Sequence, residues 1–340
     1  MHSLLRLLAI FTACILLSAC HHRPKTISFY YWRTTFTLDS LEKAALRDNS
    51  VNTLYVRYFD VDFAPGDPAP KPVSPLALDT IMRTWRITPV IFLRNRVFER
   101  LDTAGITSLA SNVHSLVSAM NDSLQIKINE IQFDCDWTER TSNKYFLFLR
   151  QYRTLTAPTQ LISATIRLHQ VKYPGKTGIP PVDNGVLMYY NMGDINPGTQ
   201  RSIYERSVAL RYIPSLKSYP LTLDVALPIF AWGLQIREGK VIQLLNKMYF
   251  THFENDSNFT VLMKDRYSAR HACFKGGYYF QEGDMVKIEH IPENDLLDMI
   301  TDINRYSNHH IRNLIFYELD KANLIQYEKN LFTKVLDHTD

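Results

Sequence analysis

The sequence predicts an α/β chain folded as a (β/α)8 TIM barrel with a small α+β insertion between strands 7 and 8. Three observations predict it. Short runs rich in β-branched and aromatic residues alternate with amphipathic helical patterns, as parallel βα units require. There are eight such runs, which favours a closed barrel over an open doubly wound sheet. About 60 residues separate the last two runs, more than one βα unit needs.

In chain order, strand 1 is Ile27 to Trp32, followed by a helix from Leu38 that Thr37 would cap, with Asp39 in its first turn. Strand 2 is Thr53 to Phe59, with a helix over Leu76 to Thr84. Strand 3 is Pro89 to Leu93, and the next helix, Ile106 to Met120, places Leu109, Val113, Leu116 and Val117 on one face. Strand 4 runs from Glu130 to Trp137, with a helix over Lys144 to Leu155. Strand 5 is Leu161 to Leu168, before a Pro/Gly-rich loop. Strand 6 is Gly185 to Tyr190, with a helix over Ser202 to Leu216 interrupted near Pro214. Strand 7 is Leu221 to Leu227, and a helix spans Val241 to Met248. Tyr278 to Phe280, Glu282-Gly283-Asp284 and Met285 to Ile288 read as a hairpin, which places the insertion at about 250–300. Strand 8 is Leu314 to Tyr317, and a helix over Leu324 to Leu336 closes the chain.

Composition supports a large folded core and removes some functions. Hydrophobic residues make up 46% of 340 and charged residues 21%, which is incompatible with wholesale disorder. Lys and Arg number 38 against 34 Asp and Glu, spread thinly, so there is no electrostatic footprint for nucleic acid. No GxGxxG occurs, and Gly175-Lys176-Thr177 lacks the earlier glycine of a P-loop.

The N-terminus reads as an export signal. Arg6 precedes the apolar run Leu7 to Leu17, too short to span a bilayer but suited to a signal-peptide core. Leu17-Ser18-Ala19-Cys20 resembles the bacterial lipobox, which implies cleavage after residue 19, a lipid on Cys20 and a short tether over 20–25. The barrel domain would then span 26–340. The expected location is the bacterial cell envelope, with the outer membrane favoured because His21, not Asp, follows the cysteine. Beyond Cys14 and Cys20 only Cys135 and Cys273 remain. That is no disulfide framework, and neither these nor His21-His22 and His309-His310 have metal-ligand spacing. No metal and no cofactor is expected.

Strand 4 carries the most information about function. Glu130, Gln132, Asp134 and Asp136 share one face; Ile131, Phe133, Cys135 and Trp137 share the other. On a half-exposed antiparallel strand this is ordinary polar-out alternation. In a barrel the apolar side must meet the helices, and the carboxylates must face the interior, where they are costly unless paired or used. Asp134 and Asp136 fall at the C-terminal end, where barrel enzymes place their chemistry, and each would raise the other's pKa.

The segment Ile131-Gln-Phe-Asp-Cys-Asp-Trp137 resembles the DGxDxDWE signature of family 18 glycoside hydrolases, the chitinase-type barrels. Asp134 and Asp136 match its second and third aspartates. Met188-Tyr189-Tyr190-Asn191 resembles the family's M-x-Y-[D/N], and Tyr317-Glu318-Leu319-Asp320 its W-x-L-D, with Tyr317 in place of the tryptophan that floors the sugar subsite. The resemblance implies a glycan partner and a substrate-assisted mechanism. In it the third aspartate orients the acetamido group that attacks the anomeric carbon, the tyrosine holds the acetamido carbonyl, and a glutamate protonates the leaving oxygen. The sequence departs from the family at that glutamate, which is Thr138, at the first aspartate, which is Ile131, and at strand 3, where Ile91 to Arg94 replace a Gly-rich motif. These departures argue against an ordinary chitinase and leave two readings: an enzyme acting on glycans, or a carbohydrate-binding or scaffold lipoprotein that has lost its acid.

In the first reading the catalytic candidates are Asp134, Asp136, Tyr190 and Glu139, the last as a substitute acid one residue beyond Thr138, with Glu318 an alternative. Substrate-binding candidates are Tyr30, Arg57, Asp60, Arg167, Asn191, Trp232, Tyr317 and Glu318, most of them at strand ends; Tyr58 is a further aromatic there. If Arg57 or Arg167 faces inward, it would neutralise Asp134 and Asp136. That makes either a buried ion network or a site gripping an acidic sugar.

Overall fold

A computed structural model describes residues 26–308 and 311–338. The proposed leader, Cys20, the tether and His309-His310 lie outside the described residues. Eight parallel strands close on one another: β1 (Thr26–Tyr31), β2 (Thr53–Asp62), β3 (Arg86–Leu93), β4 (Glu130–Asp134), β5 (Leu161–Arg167), β6 (Asn184–Met188), β7 (Leu223–Pro228) and β8 (Asn313–Tyr317). β1 pairs with β2 on one side and β8 on the other, completing the ring, and Lys71–Val73 adds a short antiparallel strand to β2. The fold is the (β/α)8 barrel that the alternation of elements predicts.

Strand 4 decides which way the polar face points. Outward from β4, the Phe133 ring meets Phe148 at 5.0 Å and Tyr152 at 4.8 Å, both on the helix Ser142–Leu155. Burying each such ring contributes about 1.5–3 kcal/mol, so a one-residue register slip, which would turn carboxylates onto the helices, is excluded energetically. Trp137 likewise stacks on Tyr145 and donates from Nε1 to the Thr177 carbonyl at 2.9 Å. Inward, Tyr30 donates to Gln132 Oε1 at 2.6 Å, and Ser163 donates to Glu130 Oε1. The polar alternation is therefore a barrel interior.

Several helices differ from expectation, each for a local reason. Asp39, not Thr37, caps the helix Ser40–Asp48: Asp39 Oδ1 accepts from Glu42 N, and Glu42 Oε2 accepts from Asp39 N. Leu76 to Thr84 holds only a 3-10 turn at Thr80–Thr84, because Ala77 bridges to Thr35. The Ser202 to Leu216 segment breaks into Arg206–Ala209 and Ile213–Ser218. The closing segment is likewise two pieces, Lys321–Leu324 and Leu331–Asp337. Val241 to Met248 is not a helix but the strand Lys240–Asn246, antiparallel to Trp232–Arg237. Glu238 and Gly239, both at positive φ, make the tight turn between them. A bulge between Val241 and Gln243 shifts the period and produces helix-like spacing.

This hairpin opens the insertion, a five-stranded antiparallel sheet ordered Lys240–Asn246, Trp232–Arg237, Met285–Glu289, Arg266–Ala269, Phe259–Met263. It begins at Trp232, before the expected 250, and has its own core of Leu245, Phe253, Tyr267, Phe280 and Val286. Tyr278–Phe280 pairs with Cys273–Lys275, not with Met285–Glu289 as the hairpin reading had it. Cys135 is a buried free thiol and Cys273 a half-buried one. Among the described residues no helix is long and apolar enough to cross a membrane.

Candidate functional site

The C-terminal mouth of the barrel holds a cavity of about 370 Å³, walled by Asp136, Arg167, His169, Tyr190, Asn191 and Tyr212 among others. Asp134 ends β4 and is buried; its Oδ1 accepts from Thr165 Oγ1 at 2.6 Å. Asp136 lies two residues beyond the strand, and its side chain is 54% exposed. Arg167, the last residue of β5, joins them: its Nε donates to Asp136 Oδ1 at 2.6 Å, and its Nη2 stands 4.0 Å from Asp134 Oδ1. Burial pushes the Asp134 carboxyl up to about 6; Arg167 pulls it down and Asp136 pushes it up. Burial disfavours the Arg167 charge, yet Asp136 and Asp134 hold its pKa above the ordinary value.

An aromatic cluster packs beside the cavity, and within that cluster Tyr190 lines it. Tyr190 stacks on Tyr317 with centroids 5.5 Å apart, and Tyr317 packs against Tyr30 and Trp32, each at 5.7 Å. Phe230 meets both Tyr190 and Tyr317 edge-on. Burial raises the Tyr190 pKa, so the hydroxyl stays a donor, and its protein partner is the Met188 sulfur at 3.8 Å. Asn191 takes a positive φ of 55° and bonds back to the Ile203 carbonyl, which turns the chain along the cavity wall. The sequence therefore brings Asp136, Arg167, Tyr190 and Asn191 to the cavity wall, with Asp134 held beside Arg167, Tyr317 stacked on Tyr190, and Tyr30 buried in the barrel interior.

Other candidates sit elsewhere. Glu139 is exposed in the turn before the helix Ser142–Leu155 and does not wall the cavity. Thr138, at the position of the family's acid, lies in the turn before that helix: its carbonyl accepts from Ser142 N, and its own N–H donates to Thr141 Oγ1 at 2.9 Å. Arg57 does not neutralise the strand-4 aspartates. It donates to Asp60 Oδ1 at 2.6 Å and to the Ser74 carbonyl, because β2 shifts register between Arg57 and Phe59. The same shift turns Tyr58 outward, where it bonds Asn121 on the helix Thr103–Leu124. Trp232 donates to Glu289 Oε2 at 3.2 Å and packs on Phe230. Glu318 is buried, with Lys247 Nζ 3.3 Å from Oε1 and also bound to Asp320. Burial raises its carboxyl pKa and Lys247 opposes this. Asp320 caps the short helix that follows.

Two wall residues, Met192 and Tyr212, carried no signal in the sequence. At a third wall residue, His169, burial and Arg167 lower the imidazole pKa. Among the described residues no group of three or more His, Cys, Asp or Glu is placed to hold a metal ion.

No family model matches the chain, and no curated protein matches it by sequence. Solved structures do. A mutant GH18 chitinase from Cycas revoluta, in complex with (GlcNAc)4, is 12% identical with a TM-score of 0.56 over 92% of this chain and 99% of that one. The spore cortex-lytic enzyme SleL of Bacillus megaterium is also 12% identical, with a TM-score of 0.55 over 94% and 75%. A chitinase-like agglutinin from Robinia pseudoacacia gives 12% and 0.52 over 91% and 98%. At such identities the likeness is one of fold: the chain has a (β/α)8 barrel similar to those of these proteins.

Proposed function

We propose that the barrel mouth binds an N-acetylated glycan and does not hydrolyse it by the substrate-assisted route. One observation carries the reading: Arg167 already occupies Asp136 with a charge-assisted hydrogen bond of 2.6 Å. In that route the third aspartate faces the positive charge that develops on the acetamido group, and here a guanidinium supplies that charge in advance. The missing acid agrees. Thr138 is bonded into the turn before a helix, and Glu139 lies outside the cavity. Binding keeps its physical basis in Tyr190 and Tyr212, the aromatic residues of the cavity wall, and in Asn191 beside them. The neighbouring folds include an agglutinin as well as hydrolases, so fold alone leaves both open.

Hydrolysis with Glu318 as the acid is the second reading: Glu318 is buried one residue beyond β8, and burial raises its carboxyl pKa although Lys247 opposes this. Screening amino-sugar and acidic glycans for thermal stabilisation and for released product separates the two. Stabilisation without product supports binding, whereas product that Glu318→Gln or Asp136→Ala abolishes supports the enzyme. The Leu17-Ser18-Ala19-Cys20 segment supports a lipid anchor on Cys20 in the bacterial cell envelope, with the outer membrane favoured.

A further inference from the structure

The insertion sheet presents one face to the loop that follows β6. On that face Lys287 and Glu289 form an ion pair at 2.7 Å, although the two side chains are 0% and 1% exposed. Burying two charges has a desolvation cost that well-packed apolar residues would avoid, so the pair is not explained by stability. Glu289 Oε2 also accepts from Trp232 Nε1 at 3.2 Å, and both side chains reach the loop. Lys287 Nζ donates to the Gln200 carbonyl at 2.7 Å; Glu289 Oε2 accepts from Ser202 N at 2.8 Å and Ser202 Oγ at 2.6 Å. Arg266, the cross-strand partner of Lys287, donates to the Pro197 and Gly198 carbonyls at 2.9 and 2.7 Å. The insertion thus grips four residues between 197 and 202.

What that grip holds is the cavity wall. The loop doubles back so that Ile203 O accepts from Asn191 N at 2.8 Å and Ser202 O from Gly193 N at 3.1 Å. Ser202 therefore links Glu289 to the strip that carries Asn191 and Met192, both of which face the cavity. At Gly193 a Cβ would lie 2.6 Å from the Arg201 carbonyl, so the two arms of the loop are in close contact. We infer that Lys287 and Glu289 are positioning residues for the mouth of the barrel: the insertion is the part that holds the Asn191–Met192 wall in its ligand-ready place. The consequence for glycan affinity rests on the proposed function; the consequence for loop order does not.

The experiment uses the full mature chain carrying Lys287→Met together with Glu289→Leu, which removes both charges at once and leaves neither unpaired. Amide hydrogen exchange at Asn191, Gly193 and Ser202 is followed against barrel amides of β7, beside titration with tetra-N-acetylchitotetraose. The expected result is a rise of about tenfold or more in exchange at the three loop amides with β7 protection unchanged. Affinity for the tetrasaccharide falls about tenfold. Unchanged exchange at those amides in a folded variant overturns the inference. If the double variant does not fold, Ser202→Ala serves: it removes one bond from the loop side, and faster exchange at Gly193 supports the latch while unaltered exchange refutes it. Failure of the unsubstituted protein to bind the tetrasaccharide counts against the glycan reading, and the exchange data still decide the latch.

Discussion

Arg167 Nε donates to Asp136 Oδ1 at 2.6 Å while Nη2 of the same guanidinium stands 4.0 Å from Asp134 Oδ1. One cation from β5 thus serves both carboxylates contributed by β4 and the residues just beyond it. Arg167→Met leaves the two aspartates facing each other without it. The variant is expected to lose about 1.5–3 kcal/mol at pH 8, the range for a hydrogen bond to a charged group, measured by denaturant unfolding. The Asp134 carboxyl should titrate above about 6 in the variant by carbon-detected NMR, since Arg167 is the main influence lowering it. A titration at or below that value would remove Arg167 from the site's electrostatics.

The barrel interior predicts a pH dependence of definite sign. Burial pushes Glu130 from 4.5 up to about 7, so the folded state keeps a proton that the unfolded chain has released. Its contribution to stability therefore falls as pH rises from about 4.5 to about 7. Glu130→Gln deletes this dependence while still accepting from Ser163. Relative to the unsubstituted protein, the variant should gain on the order of 2 kcal/mol across that window, allowing for partial exposure. A difference that stays flat with pH would show that Glu130 titrates normally. Asp134, raised from 3.8 to about 6, adds a change of the same sign.

Restoring the acid tests whether one block or two prevents hydrolysis. Thr138→Glu alone is expected to release no chitooligosaccharide product, because Asp136 remains bound to Arg167. Thr138→Glu with Arg167→Met is expected to cleave faster than either single variant. Product release by the single Glu variant as fast as by the double would mean that Arg167 is no obstacle.

Cys20→Ala is expected to move the protein from the membrane fraction to the soluble fraction, read by detergent partitioning of cells expressing the full chain. Retention in the detergent phase would contradict lipidation at that residue.

The barrel was legible in the sequence because each strand states its environment twice, once through residue type and once through period. On β4, Phe133 and Trp137 could only meet helices, and that left Gln132 and Asp134 for the interior. Legibility failed where one residue changes the period. The bulge near Val241 disguised a strand as a helix, and the shift at Tyr58 sent that ring to Asn121 and Arg57 to Asp60. It also failed where partners are distant in the chain. Nothing near Trp232 announces that its indole is bonded to Glu289, or that Lys247 reaches Glu318 and Asp320. Of the site, Asp134, Asp136, Arg167, Tyr190 and Tyr317 were readable as strand-end residues, whereas Met192 and Tyr212 belong to connecting segments with no periodic signal.

Calorimetric titration of tetra-N-acetylchitotetraose, with the mixture analysed for shorter sugars at the end, decides whether the barrel mouth binds a glycan without cleaving it. Tyr190→Phe, which keeps the ring stack and removes the hydroxyl, is the companion variant. Saturable binding with the tetrasaccharide intact is expected, with an affinity about fivefold to tenfold lower in the variant. Accumulation of shorter sugars by the unsubstituted protein, or the absence of any heat of binding, would contradict it.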